Sequence, residues 1–140
     1  MALSFDDCID VRDFLAPFDD GEQREQQRPY WPYLERLHVR NSFLMRRPYM
    51  RVKTRAQAVH QIDRIFLLVG RAVRFMPMVN NIKIRLYVYN EGRLEQTNVQ
   101  YDAWNGGARI RFTGTPPTKA SLDAWKTSVT KAQGVELQVL

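Results

Sequence analysis

The spacing of apolar residues predicts one long helix near the middle of the chain. Apolar side chains recur at intervals of three and four residues, at Val59, Ile62, Phe66, Val69 and Val73. This is the spacing of one face of an α-helix, and it predicts a helix over about residues 55–75. Thr54 and Gln57 form a capping-box pattern at its start.

Two further helices are predicted from weaker patterns. Ser4, with Asp7 three residues later, predicts a short N-terminal helix that ends before Pro17. Thr118 is a candidate cap for another helix, and Gly134 suits its left-handed end. Between these two residues, apolar side chains recur at helical spacing, at Leu122, Trp125, Val129 and Ala132.

Alternation of apolar and polar residues predicts strands in the rest of the chain. From Ile82 to Val88 every second residue is apolar, while the residues between them are cationic or aromatic. Turn residues around Asn90 and Asn105 divide the following region into consecutive strands. The predicted strands cover about residues 34–39, 82–89, 94–103, 109–112 and 135–139.

The order of these elements predicts an α/β fold. Three strands joined by tight turns form a central antiparallel meander, and strands joined through helices lie parallel. We therefore expect a two-layer sandwich with a mixed sheet and helices on one face. Residues 19–29 are almost wholly polar, so we divide the chain into an acidic N-terminal helix and linker (1–29) and a single α/β domain (30–140).

Charge is segregated along the chain. Residues 1–35 hold nine acidic and three basic side chains, a balance of −6, so the remaining residues must carry +12 to give the total of +6. From Arg36 to His60 there is no carboxylate side chain. Such a basic region favours an anionic partner, either nucleic acid or an acidic protein surface. The charge of the N-terminal segment leaves open whether it masks the basic stretch.

The basic residues fall into two candidate contact regions. Residues 40–55 are longer than a connection between a strand and a helix requires, and arginine side chains match phosphate oxygens. On the predicted sheet, cations alternate with core residues and so share one face. The candidate residues for binding an anion or partner are Arg40, Arg46, Arg47, Tyr49, Arg51, Lys53 and Arg55 in the first region, and Lys83, Arg85, Arg109 and Arg111 in the second.

These residues predict a non-catalytic interaction module that binds through its basic loop. The alternative is a small enzyme or a lipophilic-ligand-binding protein with a pocket between sheet and helices. Its candidate residues are His60 and Asp63, which can meet on one helical face, together with His38. Two histidines without clustered cysteines predict no metal site, and the sequence contains no cofactor motif such as a phosphate-binding glycine loop.

Several short motifs resemble an uncharacterised fungal domain found behind F-boxes. Residues 30–39, YWPYLERLHV, resemble its W-P-x-L-x-x-L-x-V strand, and residues 70–79 resemble its G-R-A-A-x-x-M-P-x-L helix end. The turn at 105–107, Trp125 and the closing strand are also similar, so the resemblance spans residues 30–140. That domain looks like a degenerate leucine-rich-repeat module, which implies protein interaction. Residues 1–29 hold no F-box-like segment. The basic stretch at residues 40–55 has no counterpart in the fungal domain.

The remaining features concern compartment and assembly. Cys8 is the single cysteine and forms no internal disulfide, which indicates a reducing compartment, cytoplasmic or nuclear. No apolar run approaches the ~20 residues that span a bilayer, so we predict no membrane span. The last strand of the meander or the closing strand could form a sheet edge that pairs with a second copy of the chain, and the sequence leaves this open.

Overall fold

A computed structural model describes the greater part of the chain. The described residues are 2–5, 15, 18, 31–42, 55–90 and 93–140. The strands and helices in them are β1 (Ala2–Phe5), β2 (Arg36–Ser42), α1 (Arg55–Val73), β3 (Asn81–Asn90), β4 (Arg93–Trp104), β5 (Gly107–Thr113), α2 (Lys119–Gln133) and β6 (Leu137–Val139). Neither of these helices is both long and apolar enough to cross a membrane.

The strands form one sheet, in the order in which they occur in the chain. β3, β4 and β5 are antiparallel neighbours, whereas β1 and β2, β2 and β3, and β5 and β6 are parallel pairs. Parallel neighbours need a long crossover, which α1 supplies between β2 and β3 and α2 supplies between β5 and β6. The predicted α/β fold, with a mixed sheet and a central antiparallel meander, is confirmed.

Both helices cover the same face of the sheet. Phe66 of α1 packs edge-on against Phe112 of β5, with 5.5 Å between the ring centroids. Trp125 of α2 packs against Tyr101 of β4, with 5.6 Å between the centroids. These residues belong to the buried side of the strands, on which one row across the sheet consists of Leu37, Ile82, Tyr101 and Ile110. The molecule therefore has two layers with helices on one face, as predicted.

The two helices pack against each other through Trp125. Its indole lies against Gly70 of α1, where a Cβ atom would come within 2.8 Å of the ring. Its Nε1 donates a hydrogen bond of 2.9 Å to the Phe66 carbonyl oxygen, so the polar atom of this fully buried side chain is satisfied. Glycine at position 70 is what allows α1 and this ring to approach so closely.

Both ends of α2 agree with the prediction. Thr118 is the N-cap, and its hydroxyl oxygen accepts a hydrogen bond from the Ser121 N–H. Gly134 has a φ angle of 68°, in the left-handed region, and its N–H donates to the Thr130 carbonyl oxygen. These two residues fix the length of the helix.

The predicted start of the N-terminal helix at Ser4 differs from the structure. Ser4 lies in β1 and not at the start of a helix, because Ala2–Phe5 pairs in parallel with β2 and satisfies its backbone groups there. Leu15 and Phe18 are fully buried in the same core as the sheet residues. Residues before position 30 therefore contribute to both the sheet and the core.

Two smaller differences concern α1 and the sheet edges. Val59 was expected in the core but is 38% exposed, because the buried stripe of α1 passes through Ala58 and Ile62. The last strand of the meander, β5, is interior because β6 pairs with it. The closing strand, β6, lies at an edge of the sheet, as predicted.

Candidate functional site

The sheet face opposite the helices is strongly basic, and we call it the open face. It is formed by the strand residues that alternate with the buried ones. Its described positions include six cationic side chains and one carboxylate, that of Asp102. The cations are Arg36 and Arg40 on β2, Lys83 and Arg85 on β3, and Arg109 and Arg111 on β5.

The structure brings the four predicted sheet cations together on the open face. Two of them lie on β3 and two on β5, on either side of β4. Neighbouring strands are about 4.8 Å apart, so the two cationic rows are separated by about 10 Å. Between them, β4 contributes Asn98, Gln100 and Asp102. The open face is therefore a strip of hydrogen-bonding groups with positive charge along both sides.

Like charges are direct neighbours on β2 and β3. Arg40 lies opposite Arg85 in the sheet register, and both are exposed. Like charges directly opposite each other destabilise a sheet by up to about 1 kcal/mol for each pair. The Arg40 guanidinium lies over the Tyr87 ring, 5.4 Å from its centroid, which offsets part of this cost. An anion bound across both strands would relieve the rest of the repulsion.

Three cations of the open face have no partner among the described residues. The side chains of Lys83, Arg85 and Arg111 make no hydrogen bond or ion pair within that part of the chain. Arg85 and Arg111 are exposed, and Lys83 is partly exposed. These charges are therefore accessible to a bound anion.

A chain of hydrogen bonds connects β2, β3 and β4 on the open face. Asp102 Oδ1 accepts from Asn81 Nδ2 at 3.0 Å and from Gln100 Nε2 at 3.2 Å. Because a carboxylate only accepts, it turns the NH₂ groups of both amides toward itself. Asn81 Oδ1 then accepts from His38 Nε2 at 3.0 Å, so His38 carries a hydrogen on Nε2. The carboxylate of Asp102 is thus engaged by neutral side chains.

Most of the predicted basic loop lies outside the described residues. This applies to Arg46, Arg47, Tyr49, Arg51 and Lys53, and to the side chain of Arg55. The ends of the loop are defined, because β2 ends at Ser42 and α1 begins at Arg55. Ser42, which pairs with Tyr87, is the last residue of β2 and comes two residues after Arg40.

The two histidines of the catalytic alternative lie apart. His60 is exposed on α1, whereas His38 lies on the opposite side of the sheet. Asp63 accepts hydrogen bonds from the N–H and the hydroxyl of Thr118, both at 3.0 Å, and from Ser121 Oγ at 2.9 Å. Its carboxylate therefore holds the start of α2 against α1.

Replacing Asp63 with alanine should lower the free energy of unfolding by about 1–3 kcal/mol, because three donors lose a charged acceptor. Urea denaturation measures this change. The matched control is Asp123→Ala, since Asp123 is an exposed carboxylate on α2. The control should change stability by less than about 0.5 kcal/mol. Equal losses in both variants would contradict the role assigned to Asp63.

Tyr101 is the described residue whose buried side-chain polar atom lacks a hydrogen-bond partner. Burial raises the pKa of its phenol, and the nearby Gln133 amide lowers that pKa by a smaller amount. Gln133 Nε2 donates to the Val79 carbonyl oxygen at 2.6 Å, and it forms no hydrogen bond of standard geometry with the phenol. The phenol stays protonated at neutral pH and serves as a packing group beside Trp125.

The described residues form no cluster of metal ligands. Among them, no group of three or more His, Cys, Asp or Glu side chains could hold a metal ion. In the layer between sheet and helices, where a lipophilic ligand was considered, four aromatic rings pack against one another in pairs. They are Phe66, Tyr101, Phe112 and Trp125.

Sequence reasoning missed several contributors to the open face, among them Arg36, Asn81 and Gln100. The alternation that places Leu37 in the core also places Arg36 on the other face, so this signal was present. The roles of Asn81 and Gln100 depend on how β2, β3 and β4 pair, and the sequence of a single strand does not reveal this pairing.

Comparison of the chain with protein-family models, with curated proteins and with solved structures gives no match. The resemblance of residues 30–140 to the fungal domain therefore stays a prediction. The chemistry of the open face is the basis on which function can be assigned.

Proposed function

We propose that this protein is a non-catalytic binding module that takes a nucleic-acid strand on its open face. The observation that carries the proposal is the charge of that face, with six cations against one carboxylate at its described positions. Neutralisation of phosphates by lysine and arginine releases counterions, which drives binding. Lys83, Arg85 and Arg111 are accessible for such contacts.

The uncharged groups favour nucleic acid over an acidic protein surface. Between the cationic rows, β4 presents the amides of Asn98 and Gln100, and the rings of Tyr87 and Trp104 lie on the same face. Amides hydrogen-bond to base edges, and aromatic rings stack on bases. An acidic protein surface would be bound through the cations alone, without these amides and rings. An acidic protein surface is therefore the second candidate partner, supported by charge alone.

The basic stretch between β2 and α1 extends the proposed contact. Its sequence contains four further cations, Arg46, Arg47, Arg51 and Lys53. Because the stretch follows β2 two residues after Arg40, we assign it additional phosphate contacts. A cytoplasmic or nuclear location, which the single cysteine indicates, agrees with a nucleic-acid partner.

Replacing Lys83, Arg85 and Arg111 together with glutamine should weaken binding of a single-stranded oligonucleotide by about 10- to 100-fold at low salt. The slope of log affinity against log salt is negative, and each lost phosphate contact makes it less steep by about 0.7 for a single strand. The slope of the triple variant should therefore be less steep by about 2. Fluorescence anisotropy of labelled decathymidylate, titrated at several salt concentrations, measures both quantities.

The matched control replaces Lys119, Lys126 and Lys131 with glutamine. These lysines are exposed on α2, on the other side of the sheet, and their removal changes the net charge by the same amount. The control should keep the wild-type slope. Equal weakening in both triple variants would mean that net charge attracts the oligonucleotide without a defined face. Binding of polyglutamate but not of the oligonucleotide would identify an acidic protein partner instead.

A further inference from the structure

Trp104 is a large apolar side chain left half in water on the open face. It is the last residue of β4, on the same side as Gln100 and Asp102, and 51% of it is exposed. Trp125, in contrast, is fully buried and joins the two layers. An indole contributes to folding mainly through burial, whereas exposed tryptophans are enriched at binding interfaces. The exposure of Trp104 therefore points to a contact with a partner.

The chain makes room for this ring. Gly107 lies directly opposite Trp104 at the start of β5, and a Cβ atom there would come within 2.6 Å of the indole Cζ2. Gly107 is not among the described glycines with positive φ, so the backbone does not require glycine at this position. The absence of a side chain instead allows the indole to reach across β5.

The ring is also held next to a cation, and a hydrogen-bond acceptor lies further along the same face of β4. The Arg109 guanidinium lies over the indole, 5.7 Å from the ring centroid. This contact restrains the ring and keeps a positive charge beside it. Because Gln100 Nε2 donates to Asp102, its Oε1 atom remains as an acceptor on the same face. A flat surface and a cation thus lie together, with an acceptor on the same face of the sheet.

We infer that Trp104 is the stacking position for an unpaired nucleobase, with Arg109 beside the adjoining phosphate, so that the open face takes single-stranded nucleic acid. The inference rests on the proposed function and defines the class of nucleic acid. Stacking on a protein ring needs an exposed base face, which a duplex hides within its own stack. Every base has such a face, so this contact selects for the unpaired strand and tolerates many sequences.

Two decamers that differ only in their bases test the inference. The wild-type protein should bind decathymidylate about 5- to 100-fold more tightly than a decamer of abasic deoxyribose phosphates. Trp104→Ala should remove this difference and leave the salt dependence unchanged, because no charge is lost. Trp104→Phe keeps a ring and should restore most of the difference. Leu94→Ala is the control for exposed apolar surface, since Leu94 is 58% exposed on the same side of β4.

Tryptophan emission reports on the contact directly. Decathymidylate should quench the emission of the wild-type protein, because a base stacked on an indole quenches it. Trp104→Phe should still bind but lose most of the quenching, since Trp125 is fully buried and the third tryptophan, Trp31, packs against Phe18 and the core. This readout separates stacking on Trp104 from a merely structural role of the ring.

The possible outcomes separate the inference from the proposed function. If Trp104→Ala keeps the wild-type difference between the decamers, or if the wild-type protein binds both decamers equally, the stacking inference is overturned and backbone binding stands. If neither decamer binds the wild-type protein, both the inference and the proposed function are wrong.

Discussion

Replacing Trp125 with alanine should lower the free energy of unfolding by about 3–5 kcal/mol, the largest loss that we expect from truncating one side chain of this protein. The indole is fully buried between Gly70 of α1 and Tyr101 of β4. Its removal leaves a cavity between the layers. It also takes away the second donor to the Phe66 carbonyl oxygen, which keeps its place in the hydrogen bonding of α1, so most of the loss comes from the cavity.

Thermal unfolding followed by circular dichroism measures this loss, and the melting temperature should fall by about 10–15 °C. Trp104→Ala is the matched control, because it removes the same atoms from a half-exposed position. Its melting temperature should fall by less than about 3 °C. Equal losses in the two variants would show that Trp104 is as much a part of the core as Trp125.

The elements that could be predicted from the sequence are those in which a pattern repeats several times. The helix predicted over about 55–75 is Arg55–Val73, and the strand predicted over about 82–89 is Asn81–Asn90. In both, each apolar position adds burial on the same side, so the signals reinforce one another. Periodicity therefore decided the central part of the fold.

β1 could not be predicted in this way. Ala2–Phe5 is too short for a convincing alternation, and Ser4 with Asp7 also fits the start of a helix. Its conformation depends on pairing with β2, where Ala2 lies opposite Arg36. Such a contact between distant parts of the chain is absent from any local pattern, and tertiary context overrides local preference.

The candidate site could be predicted in part for the same reason. Alternation on β3 and β5 assigned their cations to one face, and the structure agrees. The hydrogen bonds of Asp102 depend instead on the register of three strands. The position of Trp104 depends on Gly107 across the β4–β5 turn, where the sequence alone indicates no more than a tight turn.

Two adjacent residues on β3 should differ strongly in their effect on stability when each is replaced by aspartate. Ile84 is fully buried on the helix side, so Ile84→Asp places a carboxylate in the core and should lower the free energy of unfolding by about 4 kcal/mol or more. Arg85 is exposed on the open face, opposite Arg40. Arg85→Asp turns a repulsive pair into an attractive one and should leave stability within about 0.5 kcal/mol of wild type, or slightly above it.

Oligonucleotide affinity should depend on the exposed residue and not on the buried one. Arg85→Asp lowers the charge of the open face by two units and engages Arg40, so the folded variant should bind decathymidylate about tenfold or more weakly at low salt. Ile84→Val is the control for the buried position, and it should retain affinity while losing only about 0.5–1.5 kcal/mol of stability. Urea denaturation and fluorescence anisotropy give the two measurements. Wild-type affinity in Arg85→Asp would exclude this part of the open face from the contact, because a reversed charge there must repel a bound phosphate backbone.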